Sequence, residues 1–228
     1  MRFLVDSKNK VILGWSPKCG CSHIKYIFWF LQNNKINNQI HTDKDTNKLP
    51  KNIEQYTTII ISRNPLKRLV SGFLDKYKID GEYRHLWNND IITFNMFIQE
   101  LTKTNWQKID HHHFSPQTAE DYDPKILQSK IIKCFDIENI DYEFIEKLYN
   151  KKIPTIILQK KLGHERKKNY ENTVDNYVYD LDMKQYYAYN VETKYFYNEE
   201  LKKLVKEFYD ADYRLFSYLG IDYLSMVL

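Results

Sequence analysis

The run Thr57-Thr58-Ile59-Ile60-Ile61-Ser62 limits what this chain can become more than any other stretch. Its five successive β-branched residues favour a strand. Without a polar/apolar alternation, such a strand is covered on both faces, as in a parallel sheet. It leads straight into Arg63-Asn64-Pro65-Leu66-Lys67-Arg68-Leu69-Val70-Ser71-Gly72-Phe73-Leu74-Asp75-Lys76-Tyr77. Pro65 suits a first helical turn, and Leu66, Leu69, Val70, Phe73, Leu74 and Tyr77 mark one apolar face.

A second strand–turn–helix lies earlier. Val11-Ile12-Leu13 sits within a strand from Lys10 to Trp15, followed by a tight turn holding Pro17, Lys18 and Gly20. A helix to about Gln32 then carries Ile24, Ile27, Phe28 and Leu31 on one side. Further on, Thr93 caps a helix with Phe94, Phe97, Ile98 and Leu101 on its inner face. Ser129-Lys130-Ile131-Ile132-Lys133-Cys134-Phe135 reads as a strand and the segment from Asp141 to Asn150 as a helix. The stretch from Asn198 to Gly220 reads as a long amphipathic helix that breaks near Asp210. The polar segment ending near Pro50 is a surface connection. The order implies an α/β, P-loop-like three-layer fold, with a central parallel, doubly wound sheet flanked by helices. We expect a single domain over residues 1–228, with ligands at the carboxyl ends of the strands.

A formal net charge of +4 suits an anionic ligand, and no basic block suggests nucleic acid as a partner. Cys19 and Cys21 are too close to bridge comfortably, and the odd total of 3 Cys argues against a disulfide framework. No run is long enough to span a bilayer, and the first residues lack a signal peptide's apolar core. As written, the chain reads as soluble and cytoplasmic; an anchor outside it would place it in the Golgi lumen or secretory pathway. Oligomeric state is not legible.

In the first turn, backbone N–H groups from Cys19 through Gly20, Cys21 and Ser22 to His23 would face an anion at the helix start. Lys18 adds a full charge and Ser22 a hydroxyl. A nucleoside-triphosphate loop needs G-x-x-x-x-G-K-[ST]. Here no Lys precedes Ser22 and Gly14 has no second Gly in register, so a single phosphate without a metal fits better. A plain βα turn with one exposed Lys is the simpler alternative. At the second turn, Arg63 ends a buried strand and Ser71 lies eight positions on, so a bidentate Arg and a helical Ser could hold another phosphate. Alone, these two would read as a salt bridge and a packing residue; beside the first loop they read as a second anion site.

Pro17-Lys18-Cys19-Gly20-Cys21-Ser22-His23-Ile24-Lys25 resembles the 5′-phosphosulfate-binding loop of the Golgi carbohydrate sulfotransferases. The Ser62–Tyr77 segment is similar to their 3′-phosphate-binding segment, with Arg63, Pro65, Arg68, Leu69, Ser71 and Lys76 at matching positions. His113-Phe114-Ser115-Pro116 matches a His-aromatic-x-Pro element, and Glu207 to Gly220 is similar to the family's closing Tyr, Asp and Phe pattern. The resemblance implies 3′-phosphoadenosine 5′-phosphosulfate (PAPS) as co-substrate, with no metal required. Lys18 and the amides through Ser22 would hold the 5′-phosphosulfate, Arg63 and Ser71 the 3′-phosphate. The acceptor it implies is a hydroxyl of a carbohydrate or glycan.

Transfer needs a base for the acceptor's proton. Candidates cluster at His111-His112-His113, and His113 is preferred because it fits the family element, with His111 and His112 as rivals. Three adjacent His could also bind metal, but no nearby Cys or acidic pair completes a set, and surface or packing histidines are the plain alternative. The basic stretch around His164, Arg166, Lys167 and Lys168 is either a lid reaching phosphate or a solvated charge run. Besides sulfotransferase, two classes stay open: a P-loop kinase of small molecules or nucleotides, disfavoured by the missing Lys-Ser pair, and a non-catalytic nucleotide-binding relative.

Overall fold

The computed structural model describes residues 1–35, 48–87, 91–103, 107–119, 122–158, 169–226 and 228. In chain order its elements are β1 (Arg2–Asp6), β2 (Val11–Trp15), α1 (Cys21–Asn33), β3 (Thr57–Ser62), α2 (Pro65–Lys76), α3 (Phe94–Leu101) and α4 (His111–Phe114). They continue with β4 (Ile131–Asp136), α5 (Tyr142–Tyr149), α6 (Thr155–Leu158), β5 (Asn169–Val174), β6 (Tyr189–Val191), α7 (Glu199–Phe208) and α8 (Asp210–Tyr218). The chain divides into two compact units. The first comprises Met1–Arg63, Gln117–Gly163 and Arg214–Tyr223; the second comprises Asn64–Pro116, His164–Tyr213 and Leu224–Leu228.

The first unit is built on a four-stranded sheet in the order β1-β2-β3-β4. β2, β3 and β4 run parallel, with Leu13 opposite Ile59 and Ile59 opposite Lys133. The expectation of a wholly parallel, doubly wound sheet is corrected at β1, which pairs antiparallel with β2. The connection is too short for a crossover: the Asp6 carboxylate accepts from the Lys8 and Asn9 amides at 3.0 Å each, and Lys10 turns left-handed at φ 55°. The described strands also follow in sequence order, with no reversal at a switch point.

β2 and β3 are buried at every residue, as their apolar composition requires of inner strands. β4 stands at an edge and alternates between more and less exposed positions. Ile24, Ile27, Phe28 and Leu31 of α1 and Ile145 and Tyr149 of α5 pack with Leu13, Trp15, Ile59 and Ile61. Each fully buried aliphatic side chain contributes about 1.5–3 kcal/mol. The ends of β3 and β4 are laced together: the Ile137 amide donates to Ser62 O at 2.9 Å. The Tyr223 hydroxyl donates to Asp136 Oδ2 at 2.6 Å and lies 2.8 Å from Ser62 Oγ.

The second unit has an aromatic core. Asn64 caps α2 by accepting from the Leu66 amide at 2.9 Å, Pro65 opens the helix, and Leu66, Leu69, Val70, Phe73 and Leu74 are buried. Phe73 meets Phe94 and Phe97 with ring centroids 5.2 and 5.1 Å apart, and Phe97 meets Phe114 at 5.0 Å. Thr93 caps α3 as the sequence indicates, accepting from the Met96 amide. The amphipathic stretch after Asn198 does divide, into α7 and α8 on either side of Tyr209. A two-stranded parallel pair, β5 with β6, was not foreseen. Most of the polar connection before Pro50 lies outside the described residues.

Gly72 is the tightest point of this core: a Cβ built there would come within 2.6 Å of Phe114 Cε1. Alanine ordinarily favours a helix interior over glycine by about 1 kcal/mol. Here overpacking reverses that sign, so Gly72→Ala should destabilise the protein by about 1–3 kcal/mol, read as a lower denaturation midpoint. A midpoint that rises instead would show that Phe114 has room to move.

Candidate active site

The first loop leaves β2 at Trp15 and enters α1 at Cys21. Two left-handed residues shape it, Lys18 at φ 66° and Gly20 at φ 65°. Gly20 is the helix N-cap, and a Cβ there would lie 2.3 Å from Ile137 Cδ1, so both the dihedral and the space demand glycine. Lys18 has no such freedom; a non-glycine residue in this region costs on the order of 1–3 kcal/mol and persists only where its surroundings impose it. The N-cap offers no side-chain hydrogen bond to the first turn of α1. A helix leaves its first N–H groups without intrahelical acceptors, and its dipole makes that end attractive to an anion.

The Cys19 amide closes the turn by donating to Ser16 O at 3.2 Å, and its side chain is fully buried. Its thiol donates to Gln117 Oε1 at 3.0 Å. Gln117, itself buried, sends its Nε2 to Arg63 O at 3.1 Å. Arg63 completes the circuit by donating from a terminal guanidinium nitrogen to Lys18 O at 3.0 Å. The segments that follow the parallel strands β2 and β3 are therefore tied to each other through the main chain of Lys18. Gln117 was not singled out by sequence reasoning, since a glutamine two places beyond Ser115 carries no signal of its own.

Cys21 and Ser22 open α1, half-buried. The His23 ring turns onto α5, its Nε2 lying 3.1 Å from the Tyr142 hydroxyl, and burial pushes its imidazole pKa down.

In the second unit, Ser71 is half-buried on α2, beside Gly72. His113 lies on α4, a helix of only four residues. Asp110 caps it: Oδ1 accepts from the His112 amide at 3.1 Å and Oδ2 from the His113 amide at 3.0 Å. The same Oδ2 also meets His113 Nδ1 in a short hydrogen bond. Burial alone would raise the Asp110 carboxyl, but the hydrogen bond and charge of His113 and the amides of α4 outweigh it and hold it below its usual 3.8. An ionised Asp110 makes Nδ1 the proton-bearing nitrogen and leaves the lone pair on Nε2.

Around this pair, Tyr83 lies with its ring centroid 6.1 Å from that of His113. Burial, and then the charges of Asp110 and Glu82, push the Tyr83 phenol up to about 12. Glu82 is itself paired with Lys76 at 2.7 Å. The Tyr77 hydroxyl donates to Lys108 O at 2.9 Å and accepts from the Asp110 amide at 3.2 Å, fixing the approach to α4. His111 and His112 are exposed on the same helix, His112 with its ring 4.7 Å from that of His113.

Asp110 is the residue that sequence reasoning passed over. An Asp immediately before a short helical run is an N-cap signal, and its position three residues from His113 places both on one turn. Arg166 and Lys167, with the rest of their basic stretch, lie outside the described residues. Among the described residues, no group of three or more His, Cys, Asp or Glu is placed to hold a metal ion.

Carbohydrate sulfotransferase 9 of Homo sapiens is 24% identical over 241 aligned positions, which cover 95% of this chain. The chain spans about half the length of that relative, 53%. No solved structure matches it. No helix among the described residues is long and apolar enough to cross a membrane. The model of the sulfotransferase family matches residues 1–219, nearly the whole chain, and the chain belongs to that family.

Proposed function

We propose that this protein transfers the sulfuryl group of PAPS to a hydroxyl of a carbohydrate. The observation that carries this reading is the hydrogen bond from Arg63 to Lys18 O, which ties two cations at neighbouring strand ends. Lys18, with the amides of Gly20, Cys21, Ser22 and His23, would hold the 5′-phosphosulfate at the uncapped start of α1. Cys19 would support the loop from beneath through Gln117. Arg63 and Ser71 would hold the 3′-phosphate. The carbohydrate acceptor rests on the name of the human relative. A three-layer, P-loop-like arrangement accompanies this reading.

The chemistry follows from where charge moves. Sulfuryl transfer is expected to be in line and loose, like phosphoryl transfer. The acceptor oxygen bonds to sulfur as the bond from sulfur to the bridging phosphate oxygen breaks, releasing 3′-phosphoadenosine 5′-phosphate. Lys18 stabilises the charge growing on the departing oxygen. The acceptor's proton passes to His113 Nε2, and Asp110 both selects that nitrogen and stabilises the imidazolium that forms. A sulfuryl group bears less negative charge than a phosphoryl group, so Lys18 and the helix dipole replace a divalent clamp.

Calorimetry with 3′-phosphoadenosine 5′-phosphate in EDTA tests the donor site. Binding should need no metal, and Lys18→Ala and Arg63→Ala should each weaken it by roughly 10- to 100-fold, the equivalent of one charge-assisted hydrogen bond. Silence with this nucleotide, together with binding of ATP and Mg²⁺, would replace the sulfotransferase reading with the kinase one. Loss of Lys18 should also lower kcat by on the order of 10²–10³-fold.

Asp110 generates a pH-dependent prediction. Its folded pKa is depressed, so its contribution to stability is complete above its ordinary value of 3.8 and is lost as pH falls through the lower, folded value. Wild type should therefore exceed Asp110→Asn in urea midpoint throughout neutral and mildly acid pH. The margin should shrink only below the carboxylate range. A margin that already closes near neutrality would contradict an ionised Asp110 on His113.

A further inference from the structure

Arg68 is 2% exposed, and burying a guanidinium is costly unless its hydrogen bonds are answered. Two of them go to one place. One terminal nitrogen donates to His113 O and the other to Ser115 O, both at 3.0 Å. The carbonyl between them, Phe114 O, accepts from the Tyr209 hydroxyl at 2.6 Å. Tyr209 lies beside Arg68, whose guanidinium carbon is 6.0 Å from the Tyr209 ring centroid. Three consecutive carbonyls at the end of α4 are thus held by two buried side chains.

Four residues cannot sustain a helix by their own hydrogen bonds. α4 exists because both ends are gripped, by Asp110 at its start and by Arg68 and Tyr209 at its end. Between them, the Phe114 ring is seated against Gly72. Arg68 and Gly72 lie one turn apart on α2, so a single helix supplies both the clamp and the seat for the residues around His113.

We propose that Arg68 is a positioning residue for His113 and not a ligand of the donor's 3′-phosphate, even though its segment resembles the family's 3′-phosphate-binding one. It fixes the main chain from His113 to Ser115, so that the imidazole meets Asp110 through Nδ1 and presents Nε2. This rests on the reading of His113 as the base. Arg63 and Arg68, five residues apart, then have separate tasks: one holds the nucleotide loop, the other the base.

Arg68→Lys, Tyr209→Phe and Arg63→Ala, compared with wild type, test the division in two measurements that need no acceptor. The first is calorimetric affinity for 3′-phosphoadenosine 5′-phosphate. The second is the ring-¹⁵N spectrum of His113, assigned by its absence in His113→Ala. Arg68→Lys should leave nucleotide affinity unchanged and move His113 away from the Nδ1-protonated tautomer, whereas Arg63→Ala should do the reverse. Tyr209→Phe removes one hydroxyl and should shift the His113 spectrum in the same direction as Arg68→Lys; it supplies the result if Arg68→Lys does not fold.

Nucleotide affinity lost in folded Arg68→Lys, with His113 unmoved, would make Arg68 a phosphate ligand and overturn the proposal. A His113 spectrum unchanged in both clamp variants would reduce Arg68 to a purely structural role and overturn it as well. If wild type binds no nucleotide at all, the donor reading fails while the histidine spectrum still decides the positioning role.

Discussion

The hydrogen bond from Arg63 to the carbonyl of Lys18 is the contact on which the rest of the first unit's chemistry depends. It holds a lysine in a left-handed conformation that few side chains would accept without support. It also ties the segment that follows β2 to the residue that follows β3. Gln117 makes the tie cooperative, because its single amide answers both the Cys19 thiol and the Arg63 carbonyl. A buried amide satisfied on both sides rigidifies what it joins, since neither partner can leave without orphaning the other.

The second unit holds one imidazole against one carboxylate. Asp110 does two things with one carboxylate, capping α4 and bonding the His113 ring. The core beneath α4 is made of rings, and rings have few rotamers to lose when buried. Tyrosine serves here as a buried apolar body whose hydroxyl reaches a main-chain acceptor, as Tyr197 does for Leu66 O and Tyr209 for Phe114 O. That accounts for part of the abundance of tyrosine in the sequence.

The antiparallel strand β1 shows how a short local motif overrides a fold-level expectation. A strand adjacent in sequence and joined by a tight turn must pair antiparallel, and the Asp6 turn leaves no length for anything else. It places a strand beside β2, at the other end of the strand order from β4.

Local patterns along the chain were enough to set the strands and helices where those patterns are dense. Thr57–Ser62 is a strand because five β-branched residues in a row allow little else. Pro65 starts α2, Thr93 caps the helix that follows it in the chain, and the amphipathic pattern breaks after Phe208. The turn before α1 was legible for the same reason, since its lysine, its glycine and the helix start are contiguous. Which polar group serves which partner was set by the folded arrangement instead. Gln117 meets Cys19 across 98 positions, and Arg68 meets Ser115 across 47. No local pattern encodes such pairings, because they depend on side chains brought together only when the core closes, where each buried donor must find an acceptor.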